Sequence, residues 1–201
     1  MPFVIDDANL PAILTAHPMT DEEFTAFCDE HPDLNFEMSA EGELIVMAPT
    51  HSDTGARNLE IAGELRNWAK KHRRGYGCDS STGFVLPNGA RRSPDASWTL
   101  KNRVDQLGAR KRKAFWHLCP DFVIEVRSDS DRLKTIRKKM VEYVEQGAQL
   151  GWLIDPENKT VEIYRPDAKT EIREGINKLE GEGPLAGFVL DLKYVWDPFA
   201  D

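Results

Sequence analysis

SPDASW (93–98), followed by PDFVIEVR (120–127), is the pair of segments that decides the fold of this chain. Both alternate apolar and polar residues, as strands do when successive side chains face opposite sides of a sheet. The alternation places Asp95 on the polar side of the first strand and Glu125 on the polar side of the second. Two carboxylates on neighbouring strands are suitable ligands for a hard cation such as Mg²⁺, so the pair predicts a metal site. The alternative is that both acids end their strands in solvent.

The composition is that of a soluble globular protein. The 201 residues are 40% hydrophobic and 30% charged, and this length suits one domain over residues 1–201. No apolar run reaches the roughly 18 residues of a membrane span, and residues 1–14 lack the basic region of a signal peptide. Cys28, Cys78 and Cys119 form no CxxC pair and indicate neither a disulfide framework nor a zinc site. We therefore expect a cytoplasmic protein without a membrane partner.

The net charge of −8 conceals a basic centre. Residues 1–56 contain 12 acids and no Lys or Arg, whereas residues 57–139 contain 20 Lys or Arg and 9 acids, a balance of +11. Residues 140–201 return to a balance of −7. The central segment can present a positive surface to a nucleic acid, although any one basic run is also typical of a solvated helix face. The candidates for contacts with a phosphate backbone are Arg73, Arg74, Arg110, Lys111, Arg112 and Lys113.

The remaining patterns predict an α/β fold with a central mixed sheet flanked by helices. Thr20 and Glu23 form a capping box at the start of the first helix. The predicted helices are 20–30, 52–72 and 131–146, with short helical pieces within 101–116. The predicted strands are 35–38, 43–47, 82–86, 95–100, 122–127, 149–155 and 160–165, with further short strands that end in FVLDLKYVW (188–196). The long second helix takes its predicted apolar positions from Leu59, Ala62, Leu65 and Ala69, and Gly75 and Gly77 mark its exit.

A site with two acids and a metal usually needs a cation that orients the nucleophile or stabilises charge on the phosphorus oxygens. The helix after Glu125 has an apolar stripe that includes Tyr143. Lys139 flanks this stripe and is able to lean toward Glu125, whereas Lys138 projects from the far face. Arg127, on the same strand face as Glu125, is the second candidate. The alternative for Lys139 is that its stem covers apolar surface while its ammonium stays in water.

Taken together, these motifs resemble the PD-(D/E)XK nuclease superfamily and, within it, the bacterial Uma-two (Uma2) family of restriction-endonuclease-like proteins. The resemblance spans roughly residues 35–165. It rests on FEMSAEGELIVMAPT, TGARNLEI, GFVLPNGARRSPDASW, CPDFVIEVRSDSD, KMVEYVEQGA and LGWLIDP, in this order. It implies a restriction-endonuclease-like core and a homodimer.

The resemblance also implies a ligand set for the metal. Asp95 and Glu125 would bind Mg²⁺ or Mn²⁺, and the backbone carbonyl of Val126 would complete that edge of the site. Glu37, in the family's opening hairpin, would be an additional acid near the metal.

The position of the catalytic cation departs from the superfamily pattern. The superfamily lysine two residues after the second acid is replaced here by Arg127, and arginine is a poor general base because its pKa is very high. The Uma-two family has a lysine four residues before a tyrosine on the next helix, which matches Lys139 and Tyr143. The resemblance therefore implies that Lys139 delivers the charge from the helix.

The sequence thus predicts a metal-dependent endonuclease that hydrolyses phosphodiester bonds in DNA. Asp95 and Glu125 would hold the metal, Lys139 would orient water or stabilise developing charge, and Arg127 would contact the scissile phosphate. One alternative is a catalytically silent nuclease fold that binds nucleic acid or a protein partner. A weaker alternative is a hydrolase of small phosphoesters, which does not need so extended a basic surface. The apolar segments LGWLID and FVLDLKYVW either form a dimer interface or complete the monomer's own sheet.

Overall fold

The computed structural model describes residues 12–15, 19–47 and 50–200, without the side chain of Arg110. The helices are α1 (Asp21–Glu30), α2 (Ser52–His72), α3 (Lys101–Gln106), α4 (Gly108–Lys111), α5 (Leu133–Glu145) and α6 (Lys193–Trp196), with a 3₁₀ turn at Gly183–Leu185. The first strands are β1 (Ala12–Thr15), β2 (Asn35–Met38), β3 (Glu43–Met47), β4 (Gly75–Asp79), β5 (Phe84–Val85), β6 (Arg91–Arg92) and β7 (Ala96–Leu100). The others are β8 (Phe122–Val126), β9 (Leu150–Asp155), β10 (Thr160–Tyr164), β11 (Glu171–Glu174), β12 (Lys178–Glu180) and β13 (Val189–Asp191).

A mixed sheet with the strand order β11-β10-β9-β8-β7-β4 forms the centre of the described residues. Strands β8 and β9 are parallel, because α5 connects them as a crossover, and the neighbouring pairs are antiparallel. The predicted α/β fold class, a central mixed sheet flanked by helices, is therefore confirmed. A second sheet, β1-β3-β2-β6-β5, contains the predicted hairpin of β2 and β3 and lies beside the first.

Helices cover the central sheet on both faces. On one face, α2 packs Leu65 and Trp68 against Trp98 and Ile124 of the sheet. On the other face, α5 packs its apolar stripe, including Tyr143, in one cluster with residues of β8 and β9. The alternating pattern of β7 predicts that one side of the strand is polar and faces solvent. Instead Ser97 and Thr99, on that side, are fully buried.

Several local predictions are confirmed. The capping box of Thr20 and Glu23 is present in both directions and opens α1. Helix α2 has the predicted bounds, and β9 pairs with β10 as the predicted second hairpin. The basic connection 101–116 contains the short helices α3 and α4.

Other local predictions are wrong, each for a physical reason. The glycines of 75–79 predict only a helix exit, but this segment forms strand β4, because pairing with β7 outweighs the low strand propensity of GYGCD. Gly75 is required there, since a Cβ at this position would overlap the ring of Trp98. Strand β6 is not among the predicted strands, because its two residues are too few to show a periodic pattern. The expected strand at 188–196 ends at Asp191 and continues as helix α6.

The buried stripe of α2 contains the predicted Leu65 and Ala69 but not the predicted Leu59. The prediction places Leu59 at an apolar, inward position, but it is 76% exposed, whereas Leu65 is 1% exposed. At about 100° per residue, Leu59 lies roughly 120° from Leu65 around the helix axis. Ile61 and Trp68 lie within about 60° of Leu65 and complete the buried stripe.

The C-terminal apolar segments belong to the monomer. Every residue of β9 is buried within the central sheet, and Leu190, Leu192 and Val195 pack into the core beneath α2. These segments therefore complete the protein's own fold, and the homodimer stays a prediction. No helix in the described ranges has the length and apolar character to cross a membrane.

The two leucines of α2 provide a test of this packing. We expect Leu65→Ala to lower the free energy of unfolding by about 2–5 kcal/mol, since it opens a cavity between α2 and the sheet. Leu59→Ala, the matched control on the exposed side, should change it by less than about 0.5 kcal/mol. Urea unfolding followed by circular dichroism measures both values. Equal losses in the two variants would contradict the observed orientation of α2.

Candidate active site

Asp95 and Glu125 meet where β7 begins and β8 ends. In this antiparallel pair Ala96 lies opposite Ile124, so one further step of the register brings Asp95 opposite Glu125. Side chains at directly opposite positions have Cβ atoms about 4.5–5.5 Å apart. The structure therefore brings together the two acids that the sequence singled out, and like charges at this separation repel each other.

Both oxygens of Asp95 are held by neighbours on adjoining elements. Its Oδ2 accepts a hydrogen bond of 2.8 Å from the backbone N–H of Val126. Its Oδ1 accepts a hydrogen bond of 2.8 Å from Nδ2 of Asn58 on α2. A carboxylate oxygen has more than one lone pair, so these bonds orient Asp95 without exhausting its capacity to bind a cation.

Glu125 is approached from the opposite face of the sheet, by α5. Its Oε1 lies 2.9 Å from Nζ of Lys139 and accepts a hydrogen bond of 3.0 Å from the hydroxyl of Tyr143. Lys139 and Tyr143 are four residues apart and therefore lie one above the other on the same side of α5. The ammonium of Lys139 is paired rather than extended into water, and the side chain is only 16% exposed.

The same ammonium contacts a second buried acid. Nζ of Lys139 lies 2.8 Å from Oε1 of Glu37, on β2 of the second sheet. Oε1 of Glu37 also accepts a hydrogen bond from the backbone N–H of Ser93, and Oε2 pairs with Arg92 at 3.3 Å. Lys139 therefore joins the two sheets through two carboxylates, one from each.

The burial of these groups changes their proton affinities. Burial raises the pKa of Glu125; Lys139 opposes this rise, and repulsion from Asp95 and Glu37 adds to it. Burial also raises the pKa of Asp95. Although burial alone would raise the pKa of Glu37, Lys139 and Arg92 hold it below its usual value. Burial would lower the pKa of Lys139, but the attraction of Glu125 and Glu37 raises it, so this side chain stays an ammonium.

The donor set suits a divalent cation at Asp95 and Glu125. Both are hard oxygen ligands, and Mg²⁺ is commonly held by one or two carboxylates plus water and substrate phosphates. Oδ1 of the neighbouring Asn58 is buried without a hydrogen-bond partner, so an uncommitted oxygen lies beside Asp95. The described residues contain no group of three or more His, Cys, Asp or Glu placed to hold a metal ion.

The structure places Arg127 apart from this pair. Its Nη1 lies 2.7 Å from Asp155 and 3.7 Å from Glu157. The guanidinium lines a cavity of about 200 Å³ together with Arg57 and other charged residues. Both ion pairs use Nη1, so the guanidinium retains other N–H donors.

The predicted phosphate-contacting residues lie at the far end of the sheet from Asp95. Arg73 and Arg74 follow the C-terminal end of α2, about 22 Å along the helix axis from Asn58. Arg112 pairs with Asp105 of α3, the helix that begins where β7 ends, about 17 Å along the strand from Asp95. Lys111 and Lys113 adjoin Arg112 and are exposed, and the side chain of Arg110 lies outside the described residues. A distance of 17 Å corresponds to about five base pairs of duplex DNA.

Sequence reasoning missed two residues of this site. Asn58 carried a usable signal, because it lies seven residues before Leu65 and therefore on the buried stripe of α2, where a polar residue needs a partner. Arg92 carried none, because it belongs to a two-residue strand and its partners come from distant parts of the chain.

Comparison with known structures supports this fold. A putative nuclease belonging to DUF820 from Anabaena variabilis ATCC 29413, solved at 1.96 Å resolution, aligns with a TM-score of 0.72 and 21% identity. The alignment covers 89% of this chain and 98% of that one. A DrdV–DNA complex aligns with a TM-score of only 0.34 and 11% identity, over 59% of this chain and 10% of that one.

Comparison of sequences gives the family. No curated protein matches this chain. A family model described as "Putative restriction endonuclease" (Uma2) matches residues 21–193, which include both acids, Lys139 and the second sheet's Glu37. Since the match covers most of the chain, this protein belongs to the Uma2 family of restriction-endonuclease-like proteins.

Proposed function

We propose that this protein is an endonuclease that hydrolyses phosphodiester bonds in DNA with the aid of Mg²⁺ or Mn²⁺. The observation that supports the proposal best is the meeting of Asp95 and Glu125 beside the ammonium of Lys139, which lies 2.9 Å from Glu125. A paired carboxylate site with an adjoining cation suits phosphoryl transfer, which depends on positioning and on charge stabilisation.

The roles of the residues follow from their charges and contacts. Asp95 and Glu125 would hold the cation, and Asn58 and the N–H of Val126 orient Asp95 toward it. When bound, Mg²⁺ or Mn²⁺ lowers the pKa of water and neutralises charge on the phosphate. Although burial would lower the pKa of Lys139, the attraction of Glu125 and Glu37 raises it, which favours the ammonium form. Lys139 would donate hydrogen bonds to the attacking water or to the phosphorus oxygens.

Other predicted ligands contribute less directly. The carbonyl of Val126 remains a proposed ligand, supported by the position of its own N–H at 2.8 Å from Asp95. Arg127 is a proposed phosphate contact, since its ion pair with the buried Asp155 uses only Nη1 and leaves other N–H donors of the guanidinium for a phosphate.

Incubation of the purified protein with supercoiled plasmid and with single-stranded DNA tests the proposed function. Nicking or linearisation with Mg²⁺ or Mn²⁺, abolished by EDTA and by Asp95→Ala, is the expected result. Binding without cleavage under every cation would favour the catalytically silent alternative. Hydrolysis of a small phosphodiester but not of DNA would favour a different substrate class.

The metal ligands have a direct test in calorimetric titration with Mn²⁺. We expect Asp95→Ala and Glu125→Ala each to weaken Mn²⁺ binding by more than about 100-fold, since residues that only support metal ligands often cost 10–100-fold. Glu162→Ala is the control, because Glu162 of β10 is as buried as Glu125 but pairs with Arg137 of α5, away from the site. Unchanged affinity in both site variants would refute the metal site.

The two adjacent lysines of α5 separate a catalytic cation from a surface charge. We expect Lys139→Met to lower the cleavage rate by about 10²–10³-fold, the usual loss when one donor to developing charge is removed. Lys138→Met should leave the rate unchanged, since Lys138 is exposed and does not contact the carboxylates. Single-turnover cleavage measures both rates. A larger loss at Lys138 would reject the assignment of Lys139.

The basic run 110–113 has a test in the salt dependence of DNA binding. Neutralising all four residues should weaken binding at low salt and lower the slope of log affinity against log salt by roughly 0.9 for each phosphate that the variant no longer neutralises. Neutralising the exposed lysines of the acidic C-terminal third (Lys159, Lys169 and Lys178) is the control and should leave the slope unchanged. Fluorescence anisotropy with a labelled duplex measures these slopes. Identical slopes for wild type and the quadruple variant would mean that the run is a solvated face.

A further inference from the structure

Glu37 is almost fully buried and has three cationic or N–H partners. It is 2% exposed and contacts Nζ of Lys139, the N–H of Ser93 and Nη1 of Arg92. Oε1 has two of these contacts and Oε2 has one, and two of the three are ion pairs. A carboxylate in this setting is committed to its neighbours, in contrast to Asp95, whose partners are an amide and a backbone N–H.

Arg92 connects Glu37 of the second sheet to α5, the helix that carries Lys139. Its Nη1 lies 3.3 Å from Glu37 and its Nε donates a hydrogen bond of 2.7 Å to Glu142 of α5. Glu142 is fixed in turn by a hydrogen bond of 2.9 Å from Asn88 in the turn between β5 and β6. The planar guanidinium thus spans two carboxylates from two elements, a geometry that lysine cannot reproduce.

These contacts explain how Lys139 reaches Glu125. A lysine has four rotatable bonds and by default extends into water, so a fixed position requires partners on more than one side. Glu125 supplies one partner and Glu37 the other, at 2.9 and 2.8 Å. Without Glu37, the ammonium would keep only the acid that is also needed for the metal.

We propose that Glu37 and Arg92 are positioning residues, in which Glu37 fixes the ammonium of Lys139 beside Glu125 and Arg92 fixes Glu37 by bridging it to Glu142. The expected loss of cleavage when Lys139 is misplaced rests on the proposed function, whereas the position of Lys139 itself does not. The assignment replaces the role of additional metal ligand that the family resemblance implied for Glu37.

The placement of Lys139 is measurable without catalysis. In metal-free protein with ¹³C-labelled lysine, an immobilised side chain gives two separate Hε resonances, and the Lys139 pair is identified by its disappearance in Lys139→Arg. We expect Glu37→Gln and Arg92→Met to collapse this pair to one averaged resonance. Arg91→Met is the matched control, since Arg91 is 9% exposed against 8% for Arg92 but pairs with Asp21, away from the site.

Mn²⁺ titration and cleavage then separate positioning from metal binding. We expect Glu37→Gln and Arg92→Met to leave Mn²⁺ affinity unchanged and to lower kcat by about 10–100-fold, the usual cost of removing a supporting residue. The quantities kcat and kcat/KM should fall equally, because Lys139 acts on charge that develops in the transition state. Arg91→Met should change neither quantity.

Each outcome decides the proposal. Persistent separate Hε resonances in both site variants would overturn it, as would a decrease of Mn²⁺ affinity in Glu37→Gln as large as that in Asp95→Ala. If Arg92→Met and Arg91→Met change the Hε resonances of Lys139 and kcat to the same extent, the role of Arg92 is overturned. If the wild-type protein cleaves no DNA, the proposed function fails, but the Hε resonances still test the position of Lys139. If one site variant does not fold, the other tests the same prediction.

Discussion

The pairing of one ammonium with two buried glutamates is the interaction on which the site depends. Lys139 contacts Glu37 and Glu125, and neither acid would be stable as an isolated charge in the interior. Because the two glutamates belong to different sheets, the ion pairs also fix the second sheet against the first. Removing one partner of such a buried set leaves an uncompensated charge, so the network constrains the position of every member.

The central sheet supplies the other half of the site through its register. The antiparallel pairing of β7 with β8 sets Asp95 opposite Glu125, and the two helices reach these acids from opposite faces. The arrangement brings negative charges together, which is unfavourable unless a cation lies between or beside them. Burial is the main reason that the pKa of Glu125 is raised; Lys139 opposes the rise, and repulsion from Asp95 and Glu37 adds to it. This repulsion is the electrostatic basis of the divalent-cation site that we propose.

Arg127 and Lys139 differ in the acids with which they pair. Both are candidates for the catalytic cation by sequence, and Arg127 lies closer to Glu125 along the chain. In the fold, Arg127 pairs with Asp155 and Glu157 at the edge of a surface cavity, whereas Lys139 pairs with the acids of the site. The arginine two residues after Glu125 therefore has acidic partners of its own outside the pair of acids.

The sequence by itself determined the elements whose signal is local. The strands within 95–100 and 122–127, the capping box of Thr20 and the apolar stripe of α5 each have a local signal in the sequence, and all are present in the fold. The placement of Asp95, Glu125 and Lys139 near one another followed from such periodicity together with the family's motifs. Only the tertiary structure decided the rest. The strand at 75–79 depends on β7, the partners of Asn58 and Arg92 come from distant segments, and Glu37 meets Lys139 across two sheets. These contacts form because buried charges and backbone groups must find partners in three dimensions, a requirement that sequence spacing does not encode.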